Sequence, residues 1–438
     1  MENTIKFIDL FAGMGGTRLG LEQAAQKLGY KTECVLTSEI KPYAINALKE
    51  NFNNEDVLGD IRELDEKEIP DFDILLGGFP CQSFSVAGKG LGFLDTRGTL
   101  FFEIERILKY KKPYAFLLEN VDGLVLHDRE STKDKIGRTL STIIKKLEDM
   151  GYNVEWRLLD SKNFGVAQSR LRVYIVGTLK GKVNLDNFFY TRKTVGEKLE
   201  KGKPCVNSHF TRCLLTHYTV DELYGKSIKD KRGGENNIHS WTIGLKGEIT
   251  KEQTQLIELL FKERRKKHWA EEIGIKWMDG MPLTEEQIRT FFNVPELHQI
   301  LEHLTQMGYL VYEYPKQQVK GKDGIVKRIP DETKDKGYNI VAGKLSFEFS
   351  KILDTNDIAP TLVAMDVAKL GVVDGNGVRR LTIRECQRLC GYPDDYNLDM
   401  ISESEAFDLL GNTVCVPVIK DISERIGRSY LENVEGGR

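Results

Sequence analysis

Cys81 stands in the stretch Gly77-Gly78-Phe79-Pro80-Cys81-Gln82-Ser83-Phe84-Ser85, just past an apolar run from Phe72 to Leu76. A thiolate is a strong nucleophile, so a cysteine outside an apolar pattern is a candidate for covalent chemistry. The run before it reads as a buried strand closed by two glycines. That places Cys81 at the carboxyl end of a strand, on the way into a loop, where open α/β sheets hold their ligands. A structural cysteine is usually buried among apolar groups. Gln82, Ser83 and Ser85 give this one a polar surround instead.

Other chemically able residues fall at similar edges. The loop Asp9-Leu10-Phe11-Ala12-Gly13-Met14-Gly15-Gly16 joins the first predicted strand to the first helix. Its glycines let the backbone approach a ligand at the positive end of that helix, although a tight packing turn would use glycines too. The spacing is not GxGxxG and no GK[ST] follows, which disfavours dinucleotides and nucleoside triphosphates. Glu39 ends the second strand, where an acid can bond ribose hydroxyls, and Asp60 follows the third, where it can accept from an exocyclic amine. Together these describe a nucleoside ligand without a phosphate clamp. Glu119 leaves the apolar strand Tyr114–Leu118; it reads either as a surface-facing acid at a strand end or as one whose partial desolvation would raise its pKa and let it hold a proton near neutrality. Arg170 and Arg172, at i and i+2, share one face of an extended chain. They read either as donors to an oxygen or phosphate or as a solvated strand face.

These residues need a scaffold, and residues 1–180 supply its pattern. Short apolar runs alternate with amphipathic stretches, which predicts an α/β fold with about seven strands in a mostly parallel sheet. After Gly177 the rhythm breaks. Helices at Gln253–His268, Leu283–Phe292 and Pro295–Met307, then extended runs at Tyr309–Tyr314 and Ile325–Ile329, predict a winged-helix-like insertion at about 251–340. Within it, Arg264-Arg265-Lys266-Lys267 is either a phosphate-facing run or the polar face of a helix. The α/β character returns near Arg379, with a helix at Ile383–Leu389 and a strand and helix from Val414 to about Tyr430. The predicted domains are 1–180, 181–378, and a returning segment 379–438.

Composition sets outer bounds. Hydrophobic and charged contents of 40% and 29% describe an ordinary globular chain. A net charge of -3 does not advertise nucleic acid, but a local basic face would matter more than the total. The seven cysteines include no CxxC pair, so no zinc site and no disulfide framework are expected, and the compartment is read as reducing. No apolar run approaches the roughly 20 residues of a membrane span. The first residues lack a basic-then-apolar signal pattern. A cytoplasmic protein without metal or membrane is the expectation.

In order along the chain, Asp9–Gly16, Gly78-Phe79-Pro80-Cys81-Gln82-Ser83, Glu119-Asn120-Val121, Gln168–Arg172, Arg380-Leu381-Thr382 with Glu385, and Gly411-Asn412-Thr413-Val414 resemble the cytosine-5 DNA methyltransferases. The resemblance covers 1–180 and 379–430, and the unmatched middle falls where that family holds its variable target-recognition domain. It implies a Rossmann-like fold dependent on S-adenosyl-L-methionine. It further implies a covalent Cys81–cytosine adduct, Glu119 as proton donor at N3, Arg172 on the base's O2, and Arg170 supporting a loop or phosphate. By the same resemblance the cofactor is held by Asp9, Phe11, Gly13, Gly15, Gly16, Glu39, Ile40, Asp60, Ile61, Pro80, Leu100, Asn412 and Val414. Some members place an aromatic over the adenine where Ile40 stands here, so aliphatic stacking is expected instead. Gly88–Phe101 looks like the mobile catalytic loop, and Gln82, Ser83, Ser85, Lys89 and Arg97 are placed to touch DNA. The implied partners are double-stranded DNA and a cognate restriction endonuclease acting separately, with the enzyme a monomer associated with the nucleoid through DNA. An RNA cytosine-5 methyltransferase shares the fold, but roughly 200 residues between Arg172 and Arg379 suit major-groove reading better. The glycine spacing and the lack of a partner thiol argue against a dinucleotide redox enzyme.

Overall fold

Strands form in the first third of the chain where its β-branched and aromatic runs lie, because a sheet covered by helices on both faces buries every residue of such a run. In the computed structural model, which describes residues 4–53, 56–79, 99–230, 234–320, 326–341 and 347–435, these elements follow one another as β1 (Thr4–Leu10), α1 (Gly16–Lys27), β2 (Lys31–Ser38), α2 (Pro42–Asn51), β3 (Val57–Leu58), β4 (Ile74–Gly78), α3 (Thr99–Lys111), β5 (Ala115–Val121), α4 (Arg138–Asp149), β6 (Asn153–Asp160) and β7 (Leu171–Thr178). Among the described residues they make a seven-stranded sheet ordered β3-β2-β1-β4-β5-β7-β6. The five strands from β3 to β5 pair in parallel, and β7 runs antiparallel to both β5 and β6. Strand order reverses between β1 and β4, and the crevice outside the carboxyl ends of two such strands is the favoured ligand position. The glycine loop leaves β1 at that point, and the segment toward Cys81 leaves β4.

One sheet face is covered by α3 and α4 through Ile104, Ile107, Leu108, Leu140, Ile143 and Leu147. On the other, α1 packs Leu21 and Ala25 against Val418, Ile419, Ile422 and Ile426 of the helix Val416–Tyr430. Gly20 permits this approach, since a Cβ there would lie 2.5 Å from Ile419. The expected strand at Val414 is absent: Pro417, in the first turn, starts the helix directly. A helix at Glu403–Asn412, opened by a Ser402–Glu405 capping box, was not anticipated.

Two compact units account for the chain. The first comprises residues 1–200, 354–368 and 381–438, and the second comprises 201–353 and 369–380. The division thus falls at Glu200, and the chain returns to the first unit once more, at Asp354–Ala368, before it does so for the C-terminal segment.

The second unit contains a five-stranded sheet among its described residues and a helical insertion with its own core. That core gathers Trp241, Leu256, Leu260, Trp269, Leu301 and Leu304, among others. Leu310–Glu313 pairs with Gly337–Ile340, whereas Lys316–Lys320 pairs with Val326–Pro330. The extended runs predicted near 309–314 and 325–329 therefore take different partners, in two nested hairpins. Pro315 interrupts the first run, and its carbonyl accepts from the Asp331 amide at 2.7 Å. In the basic run at 264–267, residues 264–266 separate the helices Lys251–Glu263 and Lys267–Ile273, and exposed Lys267 opens the second. Arg264 is buried and donates to Asn339 at 2.6 Å. Burial pushes its pKa down to about 10. Arg265 pairs with Asp279 at 3.0 Å and Lys266 with Glu263 at 2.7 Å.

Candidate active site

The loop after β1 is set by three residues in the left-handed region, Phe11 (φ 56°), Gly13 (φ 57°) and Gly15 (φ 73°). For phenylalanine that conformation costs about 1–2 kcal/mol, and such strain is typical of ligand-holding turns. Buried Asp9 accepts from the Thr17 hydroxyl at 2.8 Å, tying the end of β1 to the first turns of α1. Gly16 sits so close to the C-terminal segment that a Cβ would lie 2.5 Å from the Tyr392 hydroxyl and 2.8 Å from Val414. Gly13 has nothing within 4 Å of that position, so its side of the loop is open.

Glu39, at the end of β2, faces this loop. One carboxylate oxygen accepts from the Gly13 amide at 2.8 Å, and the other accepts from the amides of Ile40 and Lys41 at 2.8 and 2.9 Å. Carboxylate oxygens carry further lone pairs, so the acid that fixes the loop can also accept from a ligand hydroxyl. Ile40 projects beside it, 67% exposed, a solvent-facing apolar side chain with no packing role. Asp60 caps the turn Ile61–Glu63 and accepts from the Arg62 side chain at 2.9 Å; that bond holds its carboxyl below the usual range. An exocyclic amine would share Asp60 with Arg62. The side chains of Ile61 and Leu100 belong to the apolar core, so what they offer a ligand is main chain.

Sequence reasoning missed the residue that braces this half of the site. Asp408, in the helix Glu403–Asn412, accepts from Lys41 Nζ and the Tyr43 hydroxyl, both at 2.7 Å, and from Asn412 Nδ2 at 3.1 Å. The hydrogen bond to Asp408 raises the Lys41 pKa against the opposing effect of burial. Asn412, a predicted cofactor ligand, is exposed and also donates to the Asp408 carbonyl at 2.8 Å.

At the neighbouring edge, Phe79 is the last described residue before Pro80, Cys81, Gln82, Ser83, Ser85, Lys89 and Arg97, all of which lie outside the described residues. Asn120, buried at the end of β5, donates to the Phe79 carbonyl at 2.8 Å and so fixes where that segment departs. Glu119, one residue earlier, lies opposite Gly78 in the sheet. Its carboxylate would be in ordinary van der Waals contact, 3.6 Å, with a Cβ at Gly78, so the two residues are immediate neighbours. Arg172 Nε lies 3.1 Å from Glu119 Oε1, and both side chains are 13% exposed. Burial raises the Glu119 pKa, with Arg172 and then Arg170 opposing it; burial likewise lowers that of Arg172.

The two arginines do not share a task. Arg170 precedes β7, is buried, and donates through Nη1 to the carbonyls of Leu362 and Gly411, each at 3.1 Å. It is a brace between segments of the first unit. Gln168, named only within a motif, does similar work: it donates to the Leu389 carbonyl and accepts from the Leu362 amide, both at 3.0 Å. Among the described residues no cluster of His, Cys, Asp and Glu could hold a metal ion.

Comparison with known proteins meets this geometry. A family model described as C-5 cytosine-specific DNA methylase matches residues 5–428. The chain is 57% identical over 422 residues to the Type II methyltransferase M.NlaIV of Neisseria lactamica, covering 96% of this chain and 98% of that protein. It is 42% identical over 456 residues to the Type II methyltransferase M.BanI of Aneurinibacillus aneurinilyticus, covering 99% and 98%. Among solved structures, the S. pombe Dnmt2 methyltransferase superposes with a TM-score of 0.53 at 17% identity, covering 98% of this chain and 99% of that one, a likeness of fold.

Proposed function

Because this chain belongs to the C-5 cytosine-specific DNA methylase family, we propose that it methylates C5 of a cytosine flipped out of a specific duplex DNA sequence. The methyl group comes from S-adenosyl-L-methionine, and the reaction passes through a bond between Cys81 and C6. The observation that carries this reading is the buried Glu119–Arg172 pair beside Gly78, at the edge where β4 leads toward Cys81.

The loop residues fit a nucleoside cofactor. Gly13 leaves an open face, Glu39 stands at the strand end, and Ile40 presents an exposed aliphatic side chain on which an adenine can stack. Asp9, Phe11, Gly15 and Gly16 shape that floor, and Asn412 and Val414 border it. When bound, S-adenosyl-L-methionine supplies a methyl group on a sulfonium centre.

Cytosine C5 is too weak a nucleophile to take that group unaided. Cys81 adds as thiolate to C6, forming a C–S bond and making C5 enamine-like. The negative charge arriving on the ring is neutralised by a proton at N3, which Glu119 holds because burial has raised its pKa. Arg172 orients Glu119 and presents its guanidinium toward the base's O2. After C5 is methylated, a water molecule takes the C5 proton, the C6–S bond breaks to release the Cys81 thiolate, and the N3 proton returns to Glu119 as the ring is restored. The base must leave the duplex for this to occur. Given that M.NlaIV and M.BanI are named Type II methyltransferases, we read this chain as the modification half of a restriction-modification system. It would work in the cytoplasm as a monomer, apart from its endonuclease.

The test is transfer of labelled methyl from S-adenosyl-L-methionine to duplex DNA and, in parallel, to transfer RNA. Label on DNA cytosine C5 that disappears with Cys81→Ser is the expected result. Label on RNA alone, or undiminished label in the serine variant, overturns the proposal.

A further inference from the structure

Nothing in the methylation reading uses the ribbon formed by Lys316–Lys320 and Val326–Pro330. Its register sets Gln317 opposite Ile329, Gln318 opposite Arg328, and Val319 opposite Lys327. Opposed residues share a face and successive ones alternate. Lys316, Gln318 and Arg328 therefore line one face, and Gln317, Val319, Lys327 and Ile329 line the other. Gln317, Gln318, Val319, Lys327, Arg328 and Ile329 are all exposed, so the ribbon is bare on both faces.

Its strands carry lysine or arginine at 316, 320, 327 and 328 and no acidic residue. Lys316 pairs with Glu313 at 3.2 Å. Among the described residues neither Lys327 nor Arg328 has an ion-pair partner. An isolated two-stranded ribbon is marginal in water. This one is held at its base by the Pro315–Asp331 bond and by the pairing of Leu310–Glu313 with Gly337–Ile340 beneath it. Lysines alone would suffice to guard an exposed edge against aggregation. That purpose does not call for a glutamine directly opposite an arginine on one bare face.

A two-stranded ribbon fits the major groove of B-DNA, where arginine reads guanine and glutamine reads adenine through paired hydrogen bonds. We propose that this ribbon enters a groove of the substrate duplex, with Gln318 and Arg328 at base edges and Lys316, on the same face, at a phosphate. The proposal rests on the reading of duplex DNA as substrate. It makes the ribbon a determinant of which sequence is methylated.

The experiment uses the full chain and two short duplexes, one carrying the sequence that the native enzyme methylates and one scrambled. Arg328→Ala is expected to weaken binding to the first about five- to hundred-fold and to narrow its advantage over the second. Turnover at saturating DNA should stay at the native level. Lys316→Ala is expected to flatten the slope of log affinity against log salt by about one while leaving sequence preference intact. Arg328→Lys keeps the charge but loses the paired geometry, so it should lose preference too. Unchanged affinity in both Arg328→Ala and Gln318→Ala overturns the proposal, as does an equal loss on both duplexes. If the native chain methylates no duplex at all, the methylation reading fails instead, and a mobility-shift assay with the same variants still tests the ribbon.

Discussion

Burial and an adjacent guanidinium act in opposite directions on Glu119, and burial wins. An opposite charge at 3.1 Å ordinarily favours the ionised acid, whereas full desolvation can raise a carboxyl by as much as 3–5 units. The proton-bearing form therefore persists above the usual carboxylate range and is lost as pH rises through the raised value. Glu119→Gln should lower kcat by about 10²–10⁴-fold. The residual activity should also lack whatever fall in rate the native enzyme shows as Glu119 ionises; a kcat-versus-pH profile of the two proteins checks this. The same linkage acts on folding. Because the folded-state pKa exceeds the unfolded one, the contribution of Glu119 to stability is full at acidic pH and is lost as pH climbs through the raised value. Arg170 calls for a different measurement. Arg170→Ala strands the carbonyls of Leu362 and Gly411, at a cost of about 1–3 kcal/mol for a buried group left unpaired. Thermal melting should register that loss. The alternation of Arg170 and Arg172 was legible in the sequence, but their partners were not. Those partners are main-chain carbonyls 192 and 241 residues away in one case and a strand neighbour in the other.

Among elements, the junction between β2 and α2 and the helix Glu403–Asn412 meet through Asp408. Lys41 and Asp408 are 41% and 33% exposed, so screening keeps such a pair to under about 1 kcal/mol. Asp408→Ala should therefore barely move the melting midpoint. It should raise KM for S-adenosyl-L-methionine several-fold, because Ile40 and Asn412 lose their common anchor, with kcat much less affected. Asp408→Glu should recover part of the loss. Steady-state kinetics at saturating DNA separates the two parameters; an unaltered KM would sink the assignment. The parallel strands were readable because each is an apolar run with a glycine or acid at its end, as in Ile74–Gly78. The helix at 403–412 was not, since its apolar residues are few and Gly411 lies inside it. Likewise, the nested hairpins hinge on Pro315, whose effect on pairing depends on partners far along the chain.

At the scale of the molecule, each unit encloses its own apolar clusters. Those of the first draw on β1, β4, α1, α3 and the helix Val416–Tyr430, and those of the second on residues between Val206 and Val378. Calorimetry should resolve two transitions. S-adenosyl-L-methionine at a hundred times its Kd should stabilise one of them by about 2.7 kcal/mol and leave the other unmoved. Leu301→Ala, in the core of the insertion, should lower only the unresponsive transition, by about 2–5 kcal/mol. The floor under Gly16 has a further consequence. Tyr392, Val414 and Ile419 close the glycine loop and its helix from nearly 400 residues downstream. On the ribosome, the glycine loop emerges long before its supporting helix, with the whole second unit made in between. At about 5–20 residues per second, roughly 20–80 s separate the two, and until the second arrives the floor under Gly16 is missing. A chain cut short before Tyr392 would bear Glu119 and Arg172 and still lack that floor.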